Sequence, residues 1–465
     1  MMTNPTSAGS IPPIPPIALG DDGLEPPRRT WSMIAIWLAV TMAVLDTVVA
    51  NIALPTIARE LGTTAADAVW VVNAYQLAVV ILLLPLAALG EILGYKRVYQ
   101  FGLVVFVVAS VGCALADGLV ALSIWRFVQG VGGAAIMSLN GALIRATYPR
   151  ALLGRGIGYN AMVVAIASAA GPSVAAAILE VASWRWIFAI NLPLGVASLL
   201  LGLLVLPQTP AQPRRFDIAA ALASALALAA LFFGVDTVVR GDGTSLGVLL
   251  IVVGVAVAWW LVRRERLVQR PLIPLDLIAV PVLRNSYVAS VFAFASQMAA
   301  FVVLPFHLHA LGFSALAIGL VMTAFPAGTS LAAPLSGRLM DRFSAFHLGG
   351  AGLFLLAAAS IALAVEISMA GAFWIALSWG VCGFGFGLFQ TPNNRVMLGE
   401  APRERSGAAA GMLAMSRLVG QTLGALAAVL GFRLWAVGSG AAFAMAAGLA
   451  ALAAIASLRR ARVAG

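Results

Sequence analysis

Charge is scarce in this chain. Asp, Glu, Lys and Arg make up 10% of its 465 residues, against about 25% in a soluble globular domain. So few charged side chains cannot cover a water-facing surface, which excludes a soluble fold. Cysteine and histidine are scarcer still. Cys113 and Cys382 lie in separate apolar runs, a pattern that offers neither a disulfide framework nor metal-ligand spacing. His307 and His309 flank Leu308 with no carboxylate or cysteine beside them, and His347 stands alone, so no metal site is expected. No Gly-x-x-x-x-Gly-Lys-Ser/Thr loop is present, which removes ATP as an energy source. The glycine run Gly383-Phe-Gly385-Phe-Gly387 sits inside an apolar stretch and reads as helix packing. Without a cluster of nucleophile, base or metal ligands, neither an enzyme nor a cofactor is expected.

What the chain has in quantity is apolar sequence. Hydrophobic residues make up 62% and the mean hydropathy is +1.00. Fourteen runs approach the roughly 20 residues that cross a bilayer. They are 31–54, 69–89, 98–116, 119–143, 155–180, 187–206, 217–238, 245–262, 285–306, 315–337, 347–366, 371–394, 406–430 and 436–457. The expected fold class is therefore an all-α polytopic membrane protein. Residues 1–30 are polar and Pro-rich and read as a disordered tail, not a cleavable leader; 459–465 is a second tail.

The net charge of +10 does not mark a nucleic-acid partner, because the basic residues are spread over alternate loops. One set of loops holds 22 of the 28 Lys and Arg residues and the other holds 4, with Arg126 and Arg417 inside spans. By the positive-inside rule both termini are cytoplasmic, in an inner membrane crossed many times. Leu89-Gly90-Glu91 with Lys96-Arg97 follows the second span, and Gly337 to Arg342 follows the tenth. If spans seven and eight are an insertion, these segments occupy the same place in two six-helix halves. The expected units are 31–206, a central linker 207–284 carrying two extra helices, and 285–458.

Asp46 is the one carboxylate well inside an apolar run. A charge there costs roughly 2.5–3.5 kcal/mol on insertion scales, so it reads as functional. Arg126 lies at a similar depth, both about 10–12 Å below the far end of their spans at 1.5 Å per residue. Glu180, Asp236 and Glu366 are at span ends; of these Glu180 is the second proton candidate. Arg417 lies deep in span thirteen with no obvious carboxylate partner, where it could bond carbonyls or Gln421, or neutralise an anionic substrate.

Several ordered motifs resemble the major facilitator superfamily, and within it the fourteen-span drug:proton antiporters of multidrug efflux type. They are Leu45-Asp46-Thr47 through Pro55, then Trp70 and Tyr75, and Arg126 with Gln129-Gly130 through Ala135. Trp184-Arg185-Trp186 with Asn191 and Pro193 completes the set. The resemblance covers about 31–458. It departs from the family at Ala87 and Glu91, and the fifth-span motif keeps only Gly171-Pro172, with alanine at three glycine positions.

The resemblance implies two six-helix halves plus two central helices, and a proton gradient as the energy source. It implies that spans one and four are neighbours, so that Asp46 and Arg126 can pair. Withdrawing the guanidinium would favour proton uptake by the carboxylate, and restoring it would favour release. It also implies a cytoplasmic gate from Glu91, Lys96, Arg97, Asp341 and Arg342, and a kink at Gly171-Pro172. A substrate pocket would draw on Tyr75, Asn140, Asn160, Gln297, Phe301, Trp379, Phe389, Gln390 and Asn393. The expected activity is export of amphipathic, cationic compounds by a monomer in exchange for protons; the alternative is proton-coupled transport of one metabolite.

Overall fold

The computed structural model describes residues 23–149, 152–209, 216–241, 243–265, 275–340, 342–366, 371–401, 406–435 and 439–464. Every regular element among them is helical. The first group is α1 (Arg28–Glu60), α2 (Ala65–Ala68), α3 (Trp70–Leu93), α4 (Tyr95–Ala114), α5 (Leu119–Thr147), α6 (Leu153–Val181), α7 (Arg185–Ala189) and α8 (Asn191–Val205). Two more follow, α9 (Ile218–Arg240) and α10 (Thr244–Glu265). After a short α11 (Leu275–Ala279) come α12 (Pro281–Ala310), α13 (Ala315–Leu339), α14 (Ala345–Glu366), α15 (Ala372–Gly399), α16 (Ser406–Leu434) and α17 (Ala441–Ala464).

Among the described residues, fourteen helical segments are long and apolar enough to cross a membrane, with α2–α3 and α7–α8 each counting once. These are the fourteen runs read from the sequence. Hydrocarbon cannot solvate a bare peptide group, so each run satisfies its own backbone as a helix. An even number of crossings returns the C-terminus to the side of the N-terminus, here called the terminus side.

The ends moved where packing outweighs composition. α1 runs on through Pro55 to Glu60, six residues beyond its expected end, because Ile57 and Ala58 are buried. α17 likewise continues to Ala464, across the expected tail boundary. Span six breaks at Ile190 into α7 and α8. Residues 1–22 of the expected N-terminal tail lie outside the described residues, and Arg28 to Thr30 already belong to α1.

Helices α1 to α8 pack among themselves and α12 to α17 do the same, in matching pairs. In the first half α3 and α4 both lie on α5, and α1 lies on α6 and α8; in the second α13 and α14 lie on α15, and α12 lies on α16 and α17. Contacts of α6 with α13, α1 with α12, and both α2 and α3 with α16 join the halves. On the far side the junction is tight. The hydroxyls of Ser173 and Thr323 are 3.2 Å apart, and a Cβ on Gly319 would stand 2.4 Å from that of Ala176 and 2.7 Å from the Pro172 carbonyl oxygen.

The extra pair α9–α10 stands at the edge. α9 packs on α3 and α16, and α10 packs on α9. Arg240 pins α9 by donating to Asp67 at 2.5 Å, Asp236 at 2.9 Å and the Ala66 carbonyl at 3.1 Å. At the opposite end Asp217 caps α9 and accepts from Arg264 of α10 at 2.8 and 3.1 Å.

Candidate functional site

Five helices bring polar side chains to one buried point in the first half. α1 contributes Asp46. α5 contributes Arg126 and Gln129, three residues apart and so on one face. α4 contributes Ser110. The break at Ile190 makes Asn191 the first residue of α8, and α3 contributes the Val71 carbonyl and the Tyr75 ring.

The carboxylate of Asp46 is fully engaged. Arg126 Nη1 donates to Oδ2 at 2.5 Å, while Gln129 Nε2 and Asn191 Nδ2 donate to Oδ1 at 2.9 and 2.8 Å. Arg126 also donates from Nη1 to Gln129 Oε1 at 2.6 Å and from Nε to the Val71 carbonyl at 2.8 Å. Gln129 Nε2 reaches Ser110 Oγ at 2.8 Å. Asp46 is 1% exposed and Arg126 is completely buried. The guanidinium carbon lies 4.5 Å from the Tyr75 ring centroid and 5.5 Å from that of Phe188, within cation–π range.

Such a pair is held by mutual compensation. Removing one partner of a buried pair leaves an uncompensated charge and costs about 3–5 kcal/mol. Here each charge also has neutral hydrogen-bond partners, so the carboxylate and the guanidinium stay solvated by the protein when water is absent.

The Asp46–Arg126 juxtaposition expected from the sequence is present, whereas Gln129, Asn191 and Ser110 were not among the expected site residues. A signal for two of them existed. Gln129 follows Arg126 by one helical step, and Asn191 is the one amide of its span. Ser110 carried none, since a serine in a buried helix more often bonds its own backbone, as this one also does to the Phe106 carbonyl at 2.8 Å.

The other expected positions are dispersed. Glu180 is exposed at the far end of α6, away from Asp46. Lys96 does not bridge the halves; its Nζ donates to the Leu203 and Leu206 carbonyls at 2.8 and 3.1 Å and so caps α8 together with Arg28 and Ser32. Glu91 is half-buried, Arg97 and Arg342 are exposed, and Asp341 lies outside the described residues. Gly94, at φ +93°, lets this loop turn: a Cβ there would meet the Thr209 carbonyl oxygen at 2.9 Å.

Gly171 and Pro172 lie in an unbroken α6, so the expected kink does not end the helix. A Cβ on Gly171 would stand 2.6 Å from Val48 Cγ1, two residues from Asp46, so the glycine serves close approach of α6 to α1.

Of the expected pocket residues, Tyr75 belongs to the buried site. Asn140 and Asn160 are partly exposed and each keeps a buried Oδ1 without a partner, and Gln390 is partly exposed. Phe389 and Asn393 are sealed inside the second half, where Asn393 Oδ1 accepts from a buried Arg460. A charge in the expected C-terminal tail is thereby a core residue, also bonded to Ser286 and Ser457 at 3.0 and 2.5 Å. Phe301 and Trp379 join an aromatic row in the second half, with ring centroids 6.2 Å apart. On the far side a cavity of about 320 Å³ opens between the ends of α1, α6, α12 and α13, with Arg59, Glu60 and His309 among its lining.

Two pseudo-equivalent halves with a buried ion pair in one of them are matched by a single family model. The description Major Facilitator Superfamily fits residues 36–283 and 286–464, which is nearly the whole spanning region. The chain belongs to the major facilitator superfamily. It is therefore a multi-pass membrane transporter and not an enzyme. Within this superfamily the chain is 46% identical to the uncharacterized transporter YebQ of Escherichia coli K12, over 87% of its own length and 89% of that protein's. It is 30% identical to the multidrug resistance protein Stp of Mycobacterium tuberculosis, over 84% of its own length and 74% of the relative's. The fold is that of the POT family transporter PepTSo, with a TM-score of 0.71 at 16% identity, covering 95% of this chain and 99% of that one.

Proposed function

We propose that this superfamily member is a proton-driven antiporter that exports amphipathic compounds by alternating access. In this reading both termini face the cytoplasm, the membrane is a bacterial inner membrane, the transporting unit is a monomer, and the proton gradient is the only energy source.

The single observation that supports the reading is the buried Asp46–Arg126 pair. A carboxylate with 1% exposure and a compensating guanidinium at 2.5 Å has two alternative neutralising agents, the arginine and a proton. A movement of α1 against α5 that weakens one favours the other. Gly171 and Gly319 let α6 approach α1 and α13 closely, so a shift of α6 would be felt at both α1 and the junction between the halves. The far-side contact between Ser173 and Thr323 holds the halves together at that end, which is the arrangement an exporter needs when it loads from the opposite side.

The test is transport by purified protein in proteoliposomes under an imposed pH gradient. Asp46→Asn should abolish uptake driven by the gradient, with cargo binding by the purified variant as the check that the destabilised protein is still folded. Unchanged coupled transport would remove Asp46 from the mechanism. Protection of cells against a range of amphipathic toxins separates efflux from carriage of one metabolite, which would give none.

A further inference from the structure

The second half contains a deep charge that nothing compensates. Arg417 of α16 makes no hydrogen bond or ion pair among the described residues, and its Nε is shut off from solvent without a partner. Its neighbours show where it points. Leu418, Ala414, Met415 and Val419 of the same helix pack on the core of the first half with Tyr75 and Val79. Gly420 packs against Val291 and Phe294 of α12. Arg417 thus lies in the seam between α3 and α12, where the halves meet. Its guanidinium carbon stands 6.0 Å from the Phe294 ring centroid.

From Phe294 a continuous aromatic row leads away. Phe294 to Phe386 is 5.0 Å between centroids, Phe386 to Phe325 is 5.7 Å, Phe325 to Trp379 is 4.7 Å, and Trp379 to Phe301 is 6.2 Å. Gln297 lies on α12 between Phe294 and Phe301, at helical spacing on the same face, with a buried Oε1 that has no partner. A cation, an unpaired amide and the Phe294 end of a row of tilted and edge-on rings therefore meet where α16 packs on α12.

Asp46 offers a cationic cargo nothing comparable. Its two oxygens already accept three hydrogen bonds from the chain's own donors. The net charge left for cargo in the seam is positive.

Resting on the transport reading above, we propose that Arg417 is the cargo-selecting charge, and that the preferred cargo is an amphipathic aromatic acid whose anionic group pairs with Arg417 and whose ring packs at Phe294 beside it. This reverses the cationic cargo expected from Asp46 alone. Arginine suits the role, because its planar fork pairs with a carboxylate through two parallel hydrogen bonds, which lysine cannot do. It also makes exchange electrogenic: an anion moving out and a proton moving in carry two charges in the same electrical sense.

The test is equilibrium binding to the purified full-length protein, without a proton gradient, of three probes with one ring system: 2-naphthoate, 2-naphthamide and 2-naphthylmethylammonium. The wild type should bind the carboxylate at least tenfold more tightly than the amide, and the ammonium more weakly than either. Arg417→Gln should lose that tenfold preference while still binding the amide, and Arg417→Lys should retain part of it. Equal affinity for the three probes, preference for the ammonium, no binding of the carboxylate, or an unchanged carboxylate-to-amide ratio in Arg417→Gln would each overturn the assignment. If Arg417→Gln fails to fold, the wild-type ratios and the Lys variant decide. Because binding is measured without a gradient, loss of charge preference is separate from failure of proton coupling, which Asp46→Asn transport reads.

Discussion

Asp46→Asn and Arg126→Leu should each destabilise the protein, and their combination should cost clearly less than the sum of the two. In the single Asn variant, Oδ1 can still accept from Gln129 and Asn191, but an amide NH₂ now faces Arg126 Nη1 across 2.5 Å, donor against donor, and the guanidinium has lost its counter-charge. In the single Leu variant the carboxylate is left with two neutral donors. Breaking a buried pair from either side costs about 3–5 kcal/mol. The mutual attraction at a charge separation of about 4 Å is about 4 kcal/mol at an effective dielectric constant of 20. The double variant carries neither charge, so its cost should fall below the sum of the two singles by about that amount. Thermal unfolding of the four proteins in one detergent, with two-state behaviour checked first, measures the coupling. Additive losses, with a coupling below about 0.5 kcal/mol, would refute the claim that the two charges neutralise each other.

Three further outcomes follow from the geometry. Gln129→Leu removes the amide that joins Asp46, Arg126 and Ser110, and should cost about 1–3 kcal/mol of stability for the buried polar groups left unpaired; a neutral effect in the same unfolding assay would contradict the network. Gly319→Leu places a side chain where a Cβ is already 2.4 Å from Ala176, at about 1–3 kcal/mol for overpacking. It should open the far-side junction, seen as faster thiol labelling of a Ser173→Cys reporter; unaltered labelling would mean that the junction is not set by this contact. Arg240→Gln takes the cation from buried Asp236 as well as from Asp67, so it should cost about 1–3 kcal/mol and leave transport intact. A transport defect there would show that α9–α10 take part in the cycle and are not merely attached to its edge.

Much of the fold was legible in composition. Asp46 was legible for the same reason the spans were, because a charge is conspicuous where nearly every neighbour is apolar. Its partner Arg126 was legible by depth and by family motif. The remaining partners were not, since Asn191 is 145 residues from Asp46 and reaches it only because span six breaks at Ile190. Lys96 was misread for a related reason: a basic loop residue between spans looks the same in sequence whether it bridges two halves or caps a neighbouring helix, and here the exposed carbonyls of α8 claim it. Arg460 is the clearest case. By position it belongs to a polar tail, but α17 continues past the expected boundary and buries it against Asn393.

The sequence by itself determined that this chain carries fourteen helices apolar enough to span a membrane, and that one carboxylate lies well inside such a run. Hydrocarbon imposes those features locally: every run must close its own hydrogen bonds, and every charge within one is a visible exception. Only the tertiary structure decided which charges are compensated. Asp46 is paired and enclosed, whereas Arg417, half-buried with an unpartnered Nε, has no counter-charge among the described residues. Compensation depends on which helix faces which across separations such as the 80 residues between Asp46 and Arg126, and that is settled by packing at glycines such as Gly171 and Gly420, not by any pattern within a span.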